Sequence, residues 1–60
     1  MHSNYNPELF PGVYVINEKN QKWGVGQIQS SINNKVTINF ENVGKKVVDI
    51  KKFKLKVIKL

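Results

Sequence analysis

The stretch Trp23-Gly24-Val25-Gly26-Gln27-Ile28-Gln29-Ser30 holds the only tryptophan of the chain and two of its four glycines. Glycine has no side chain, so it is favoured where a ring or a second backbone must approach closely. An aromatic residue followed by two closely spaced glycines and an alternating run predicts a strand that bends sharply at its start. We expect another part of the chain, or a partner, to pack on that bend.

The 60 residues make one small domain without covalent or metal cross-links. A chain of this size buries only about 60% of its unfolded surface, so its stability is marginal. There is no cysteine and the one histidine is His2, so we expect no disulfide, metal or other cofactor. No apolar run approaches the roughly 20 residues that span a bilayer. Because residues 1–4 lack a basic region and an apolar core, the expected location is the cytoplasm.

Ten lysines face four acidic residues, there is no arginine, and the formal net charge is +6. The excess predicts a polyanionic partner, such as nucleic acid or an acidic protein surface. The alternative is compositional drift, because asparagine and isoleucine are abundant as well. Lysine binds phosphates without the bidentate fork that reads guanine. Any nucleic-acid contact is therefore expected to follow the backbone rather than the base sequence and to weaken steeply with salt.

Alternation of apolar and polar residues predicts five short strands. In the clearest of them, Val36, Ile38 and Phe40 share one face, as in a half-buried antiparallel sheet. In the next strand Val48 is expected to point inward and Val47 outward. The predicted strands are residues 13–16, 24–30, 35–40, 45–50 and 54–59.

Turn residues separate these strands. Asn33-Asn34 and Gly44 supply residues that tolerate the left-handed backbone of tight hairpins. Residues 51–53 are too few for an independent helix and fit a single 3₁₀ turn before the last strand.

Turns every eight to twelve residues predict an all-β barrel or sandwich. At 60 residues only a small SH3-like or OB-like barrel closes its strand edges, and the short turn between the fourth and fifth strands favours the SH3-like topology. Residues 11–60 are expected to form this barrel, and residues 1–10 an irregular lead-in. The pair Pro11-Gly12 marks the turn between them. Leu9 or Phe10 is expected to cover one open end of the core; the alternative is an exposed partner contact.

Four motifs follow one another in the chain. The first two are a proline-glycine turn and an aromatic-Gly-x-Gly-x-aliphatic segment, and the last two are a strand of the Val-x-Val-x-Phe kind and a Gly-x-Lys hairpin. They are Pro11-Gly12, Trp23-Gly24-Val25-Gly26-Gln27-Ile28, Val36-Thr37-Ile38-Asn39-Phe40 and Gly44-Lys45-Lys46. In this order the chain resembles a short bacterial domain family of unknown function and the Tudor-like C-terminal domain of UvrD/PcrA-type helicases. The resemblance implies a five-stranded antiparallel SH3-like (Tudor/KOW-like) barrel. It also implies docking to RNA polymerase or associated transcription or repair machinery.

Three residues are candidate partner contacts in such a barrel. The resemblance places Trp23 at the rim, as a recognition aromatic or as a cap on an undersized core. Tyr14 is the second exposed aromatic candidate, with cross-strand packing as its alternative role. Lys46 matches the lysine of the Gly-x-Lys hairpin, and the alternative is a surface ion pair with Glu41 or Asp49.

Seven lysines in loops, at hairpin bases and in the last turn and strand are candidate nucleic-acid contacts. They are Lys22, Lys35, Lys45, Lys51, Lys52, Lys54 and Lys56. A barrel is expected to bring lysines of these regions onto one basic face, with Trp23 or Tyr14 stacking on unpaired bases. The alternative is a solvated surface that keeps an edge strand from aggregating.

The residues do not favour catalysis. The four acids, Glu8, Glu18, Glu41 and Asp49, have no spacing that a metal site or an acid–base pair needs. The two glycines after Trp23 open a strand, so they lack the helix N-terminus that holds phosphate.

The sequence therefore predicts a non-catalytic binding module without a small-molecule substrate or membrane contact. Docking to a protein of the transcription or repair machinery is the main hypothesis, and nucleic-acid backbone binding is the alternative. A third interpretation, recognition of a methylated lysine or arginine, needs an aromatic cage, for which Trp23 and Tyr14 provide too few walls.

Overall fold

The computed structural model describes residues 9–59. In chain order its elements are β1 Tyr14–Asn17, a 3₁₀ helix Gln21–Trp23, β2 Gly26–Ile32, β3 Lys35–Phe40, β4 Gly44–Asp49 and β5 Leu55–Ile58. The strands form one sheet in the order β4-β3-β2-β1-β5, and all neighbours are antiparallel. The prediction of an all-β chain with five antiparallel strands is confirmed. Residues 1–8 of the predicted lead-in over residues 1–10, and the C-terminal Leu60, lie outside the described residues.

β4 and β5 are the two edges of this sheet. Within residues 9–59 no ladder joins β4 to β5, so the predicted closure into a barrel is not confirmed. The sheet carries a bulge in β2, where the register with β3 shifts between Ile28 and Ser30. Bulges bend a strand and increase its twist. The bulge also reverses the alternation, so that Ile32 pairs with Lys35 and is 66% exposed.

The core lies on one face of the sheet, called here the inner face. Its fully buried apolar residues are Leu9, Val15, Ile28, Val36, Ile38, Phe40 and Val48. The predicted inward residues of β3 and the inward Val48 are confirmed, and Val47 is 64% exposed as predicted. Leu9 covers the core, whereas its neighbour Phe10 is 53% exposed.

Gly26 gives the Phe40 ring its place in the core. The pairing register sets Gly26 between Val15 and Phe40 on the inner face. A Cβ atom built on Gly26 would lie 2.6 Å from Phe40 Cδ1 and 2.5 Å from Ile38 Cγ2. Because no side chain occupies this position, the ring packs directly over the backbone of β2.

The turns adopt the conformations that their residues favour. The Phe10 carbonyl accepts the Val13 N–H at 3.1 Å, with Gly12 at φ +97°, which is the geometry of a type II turn. In the two hairpins, Asn33 has φ +55° and Gly44 has φ +77°. The predicted turn residues are confirmed.

The 3₁₀ helix lies before β2, whereas the sequence placed a 3₁₀ turn before β5. In the latter loop the Asp49 carbonyl accepts the N–H groups of both Lys52, at 2.9 Å, and Phe53, at 3.0 Å. One hydrogen bond spans three residues and the other spans four, so the loop is a single tight turn. The strand predicted from Gly24 begins at Gly26, because Gly24 has φ +82° and ψ −171°, a region open essentially to glycine alone.

Candidate functional site

The segment 22–25 is tied to the β3–β4 loop by four hydrogen bonds, and we call these two segments the corner. Glu41 donates its N–H to the Val25 carbonyl at 2.9 Å, and its carboxylate accepts the Val25 N–H at 3.0 Å. Asn42 donates its N–H to the Trp23 carbonyl at 3.0 Å and its side-chain amide to the Lys22 carbonyl at 2.8 Å. The corner therefore fixes the backbone on both sides of Gly24.

The corner sets the Trp23 ring against the aromatic residues of the core. The Trp23 ring centroid lies 5.1 Å from that of Phe40 in an edge-to-face arrangement at 69°, and 6.2 Å from that of Phe53. Such aromatic pairs add about 0.5–1.5 kcal/mol beyond the burial of their area. Trp23 is half-buried, so it caps the core and still offers part of its ring to solvent. Its role in recognition stays a prediction.

Lys46 places its ammonium group over the same ring, with Nζ 5.5 Å from the Trp23 centroid. Lys46 pairs with Ile38 across the β3–β4 ladder, so its side chain leaves the sheet on the inner face. The two acids weighed as partners of Lys46 accept backbone hydrogen bonds: Glu41 from Val25 and Asp49 from Lys51. An ammonium at this distance from a tryptophan is attracted by the ring, by about 0.5–1 kcal/mol at an exposed site.

Tyr14 lies on the opposite face of the sheet, called here the outer face. It pairs with Ile58 on one side and Gln27 on the other. Residues paired across an antiparallel ladder share a face, so a row of side chains crosses all five strands. This outer row consists of Ile58, Tyr14, Gln27, Asn39 and Lys45. The structure thus brings Trp23 and Lys46 together and separates both from Tyr14.

A groove of about 540 Å³ lies between the outer row and the corner. Its lining combines the Tyr14 ring with amide side chains, one carboxylate and stretches of strand backbone. The lining residues are Tyr14, Val25, Gly26, Gln27, Asn39, Phe40, Glu41, Asn42 and Gly44. Amides both donate and accept hydrogen bonds, so this surface matches the peptide groups and polar side chains of a protein segment.

All ten lysines are exposed, but the sheet distributes them widely. On the outer face Lys35 pairs with Asp49 and Lys45 with Asn39. The two lysines are therefore four residues apart along the ladder, or roughly 13 Å at the rise of a strand. Lys56 lies on β5, at the other edge of the sheet. The single basic face expected from the sequence stays a prediction.

The remaining candidate lysines lie outside the strands. Lys22 belongs to the 3₁₀ helix, Lys51 and Lys52 to the turn after β4, and Lys54 to the link into β5. The Lys54 carbonyl accepts the Glu18 N–H at 2.9 Å. This bond joins the ends of β1 and β5, so Lys54 lies beside an acidic residue.

Residues 9–59 contain neither a candidate metal-binding cluster nor a candidate membrane-spanning helix. No three histidine, cysteine or acidic side chains in this range lie close enough together to hold a metal ion. No helix in the described part of the chain is long and apolar enough to cross a membrane.

The sequence did not reveal the polar residues that build the corner. Glu41 and Asn42 lie between the strands predicted over residues 35–40 and 45–50, and their partners are 16 and 20 residues away in the chain. Asn17 lies just outside the strand predicted over residues 13–16, yet it is the last residue of β1 and only 2% exposed. Its side-chain oxygen accepts the Lys19 N–H at 3.1 Å. No local signal distinguishes these residues from ordinary loop residues.

Replacing Asn42 by aspartate is expected to loosen the corner. Asn42→Asp removes the amide that donates to the Lys22 carbonyl and sets a negative charge against that oxygen. We expect a loss of about 1–1.5 kcal/mol in the free energy of unfolding, and a melting temperature lower by about 4–12 °C. Asn39→Asp makes the same charge change on the exposed outer face and is expected to stay within about 0.5 kcal/mol. Equal thermal shifts in the two variants would contradict the role given to Asn42.

Comparison with known protein families assigns the chain to one of them. A family described as protein of unknown function (DUF3553) matches residues 9–58. The chain belongs to this family. The match confirms the part of the predicted resemblance that names a domain family of unknown function, and it covers all five strands of the sheet. No curated protein matches the chain, and no solved structure matches it.

Proposed function

We propose that the chain is a non-catalytic binding module that docks onto RNA polymerase or another protein of the transcription or repair machinery. The observation that carries the proposal is the groove beside the outer row, with the Tyr14 ring and three amide side chains in its lining. The choice of polymerase rests on the resemblance to the Tudor-like domain of UvrD/PcrA-type helicases. The proposal places the chain in the cytoplasm, where RNA polymerase acts.

We further propose that the five strands form the curved sheet of an SH3-like, Tudor-like barrel. The bulge in β2 and the side-chain-free position at Gly26 support this architecture, because both devices curve a sheet. In such a barrel the groove lies on the outside, open to a partner.

The groove favours a protein over a nucleic acid as its occupant. Its lining contains Glu41 and no lysine, so a phosphate would meet a negative charge there. Gln27, Asn39 and Asn42 supply amides that can pair with peptide groups. A half-exposed tyrosine amid polar neighbours is also typical of the anchors that carry most of the energy in protein interfaces.

The second candidate function is binding of a nucleic-acid backbone. It is supported by ten exposed lysines against three acids within residues 9–59. The salt dependence of binding distinguishes the two functions. Each phosphate of a single strand that the protein neutralises adds about −0.7 to the slope of log affinity against log salt concentration. A docking surface built on Tyr14 and amides has a shallow slope.

Tyr14→Ala is expected to weaken binding to purified, nuclease-treated RNA polymerase core enzyme by at least about tenfold, which is the loss expected of an interface anchor. Isothermal titration calorimetry measures this effect. Tyr14→Phe serves as the control, because it keeps the ring over the outer row and is expected to stay within about threefold of the wild-type affinity. Equal affinities for the alanine variant and the wild type would show that the groove does not bind the polymerase. Absence of polymerase binding by the wild type would overturn polymerase as the partner.

A further inference from the structure

β4 is an edge strand whose outward backbone groups are open to a partner. Within residues 9–59 it pairs only with β3. The N–H of Ile50, directly after β4, donates to the Asn34 carbonyl at 2.9 Å, so this N–H points toward β3. Backbone groups alternate sides along a strand. The N–H and carbonyl groups of Val47 and Lys45 therefore point away from β3, toward the free edge.

The side chains of this edge favour an acidic occupant. Lys45 and Lys46 lie within β4, Lys51 and Lys52 follow in the next turn, and all four are exposed. A second copy of the chain would bring four more lysines to the same edge, and like charges that come to lie opposite each other destabilise pairing. Lysines on an edge prevent self-association in this way, yet they attract a strand of opposite charge.

The same edge carries an apolar contact at its centre. Val47 is 64% exposed on the outer face, where it pairs with Thr37 of β3. The other edge of the sheet is less suited, because β5 has four residues against six in β4. Its Leu55 and Val57 are half-buried against the core.

We infer that β4 accepts an extended acidic segment of a partner protein as a sixth strand, with acids opposite Lys45 and Lys46 and an apolar residue opposite Val47. Main-chain hydrogen bonds give affinity in this mode of recognition, and the alternate side chains give specificity. The inference rests on the proposed docking function and names the chemistry of the docked segment.

The test uses a capped six-residue peptide, threonine-valine-valine-glutamate-glutamate-threonine, which in antiparallel register sets its two glutamates opposite the two lysines of β4. Titrated up to a few millimolar, because short peptides bind weakly, it is expected to shift the amide NMR signals of Lys45 and Val47 and to slow their hydrogen exchange. A peptide with both glutamates replaced by lysine is the matched control and is expected not to bind. Binding of both peptides alike, or shifts confined to the groove, would overturn the inference.

Val47→Pro isolates the backbone contribution. Proline is tolerated on an edge strand where the N–H faces solvent, and the N–H of Val47 takes no part in the ladder with β3. The variant is expected to fold and to bind the peptide at least about tenfold more weakly, since it loses one hydrogen bond and clashes with the added strand. An affinity equal to that of the wild type would contradict strand addition. If the variant unfolds, the exchange rates of the Lys45 and Val47 amides in the wild type decide the question alone.

The two proposals fail in different ways. If Val47→Pro leaves binding to RNA polymerase core enzyme unchanged while Tyr14→Ala weakens it, strand addition is overturned and docking stands. If the acidic peptide protects the amides of β4 but the polymerase does not bind, strand addition is supported and polymerase is removed as the partner.

Discussion

Gly26→Ala is expected to lower the free energy of unfolding by about 3 kcal/mol, the upper range for an overpacked core. The new Cβ would lie 2.6 Å from Phe40 Cδ1 and 2.5 Å from Ile38 Cγ2, on a strand held between two neighbours. For a domain of this length the melting temperature is expected to fall by about 12–24 °C. Thermal unfolding followed by circular dichroism measures the change.

Two comparisons separate the steric effect at Gly26 from a general effect of replacing glycine. Gly44→Asn changes a residue with φ +77° and open space around it, and asparagine tolerates this backbone conformation, so the loss is expected to stay under about 1 kcal/mol. Combining Gly26→Ala with Phe40→Leu is expected to cost less than the sum of the two single changes, by at least about 1 kcal/mol. A melting temperature of Gly26→Ala within about 3 °C of the wild type would show that the Phe40 ring does not pack over β2.

Trp23→Ala is expected to lower the free energy of unfolding by about 2–3 kcal/mol and the melting temperature by about 8–24 °C. Truncating a fully buried aromatic residue costs about 3–5 kcal/mol, and the smaller value follows because Trp23 is half-buried. The substitution removes the indole ring, and with it the contacts with Phe40 and Phe53 and the cation–π contact with the Lys46 ammonium. Chemical denaturation of the variant measures the change.

Trp23→Phe and Phe10→Ala are the controls for this prediction. Trp23→Phe keeps an aromatic edge against Phe40 and is expected to lose no more than about half as much stability. Phe10→Ala removes an aromatic side chain that is 53% exposed and is expected to cost under about 1 kcal/mol. If Trp23→Ala unfolds like the wild type, Trp23 does not cap the core. The effect of the same variant on the affinity for the partner would then test its role in recognition.

The strand pattern of this chain was readable because alternation and turn chemistry agree. Val36, Ile38 and Phe40 alternate with polar residues and lie on the inner face as expected. Asn33 and Gly44 mark the hairpins, because few other residues adopt a positive φ at low cost. Gly24 takes a positive φ directly before β2, and the strand begins two residues later than predicted.

The features that could not be predicted from the sequence depend on contacts between residues that are distant in the chain. The bulge after Ile28 turns Ile32 outward, and alternation alone assigns Ile32 to the core. Alternation sets Lys46 on the same face as Val48, but its position over the Trp23 ring depends on the corner, whose partners lie 16 and 20 residues apart in the chain. The register also sets Tyr14 on the face opposite to Lys46 and Trp23, and the roles of all three in partner binding stay predictions.

Separating the two faces changes how the proposed function is tested. A variant of Trp23 combines a loss of stability with any loss of binding, whereas Tyr14 is half-buried in the outer row and has no part in the buried core. Binding experiments therefore rely on Tyr14 and on the exposed edge at Val47, and stability experiments on Trp23 and Gly26.

The most direct test of the docking function is the affinity of the chain for purified RNA polymerase core enzyme after nuclease treatment, measured at about 50 mM and about 500 mM salt. The proposed docking function predicts a dissociation constant that changes by less than about tenfold between the two salt concentrations and that rises at both on Tyr14→Ala. Loss of binding after nuclease treatment, or a fall of about three orders of magnitude in affinity with salt, would contradict it and establish the lysines as contacts to a nucleic-acid backbone.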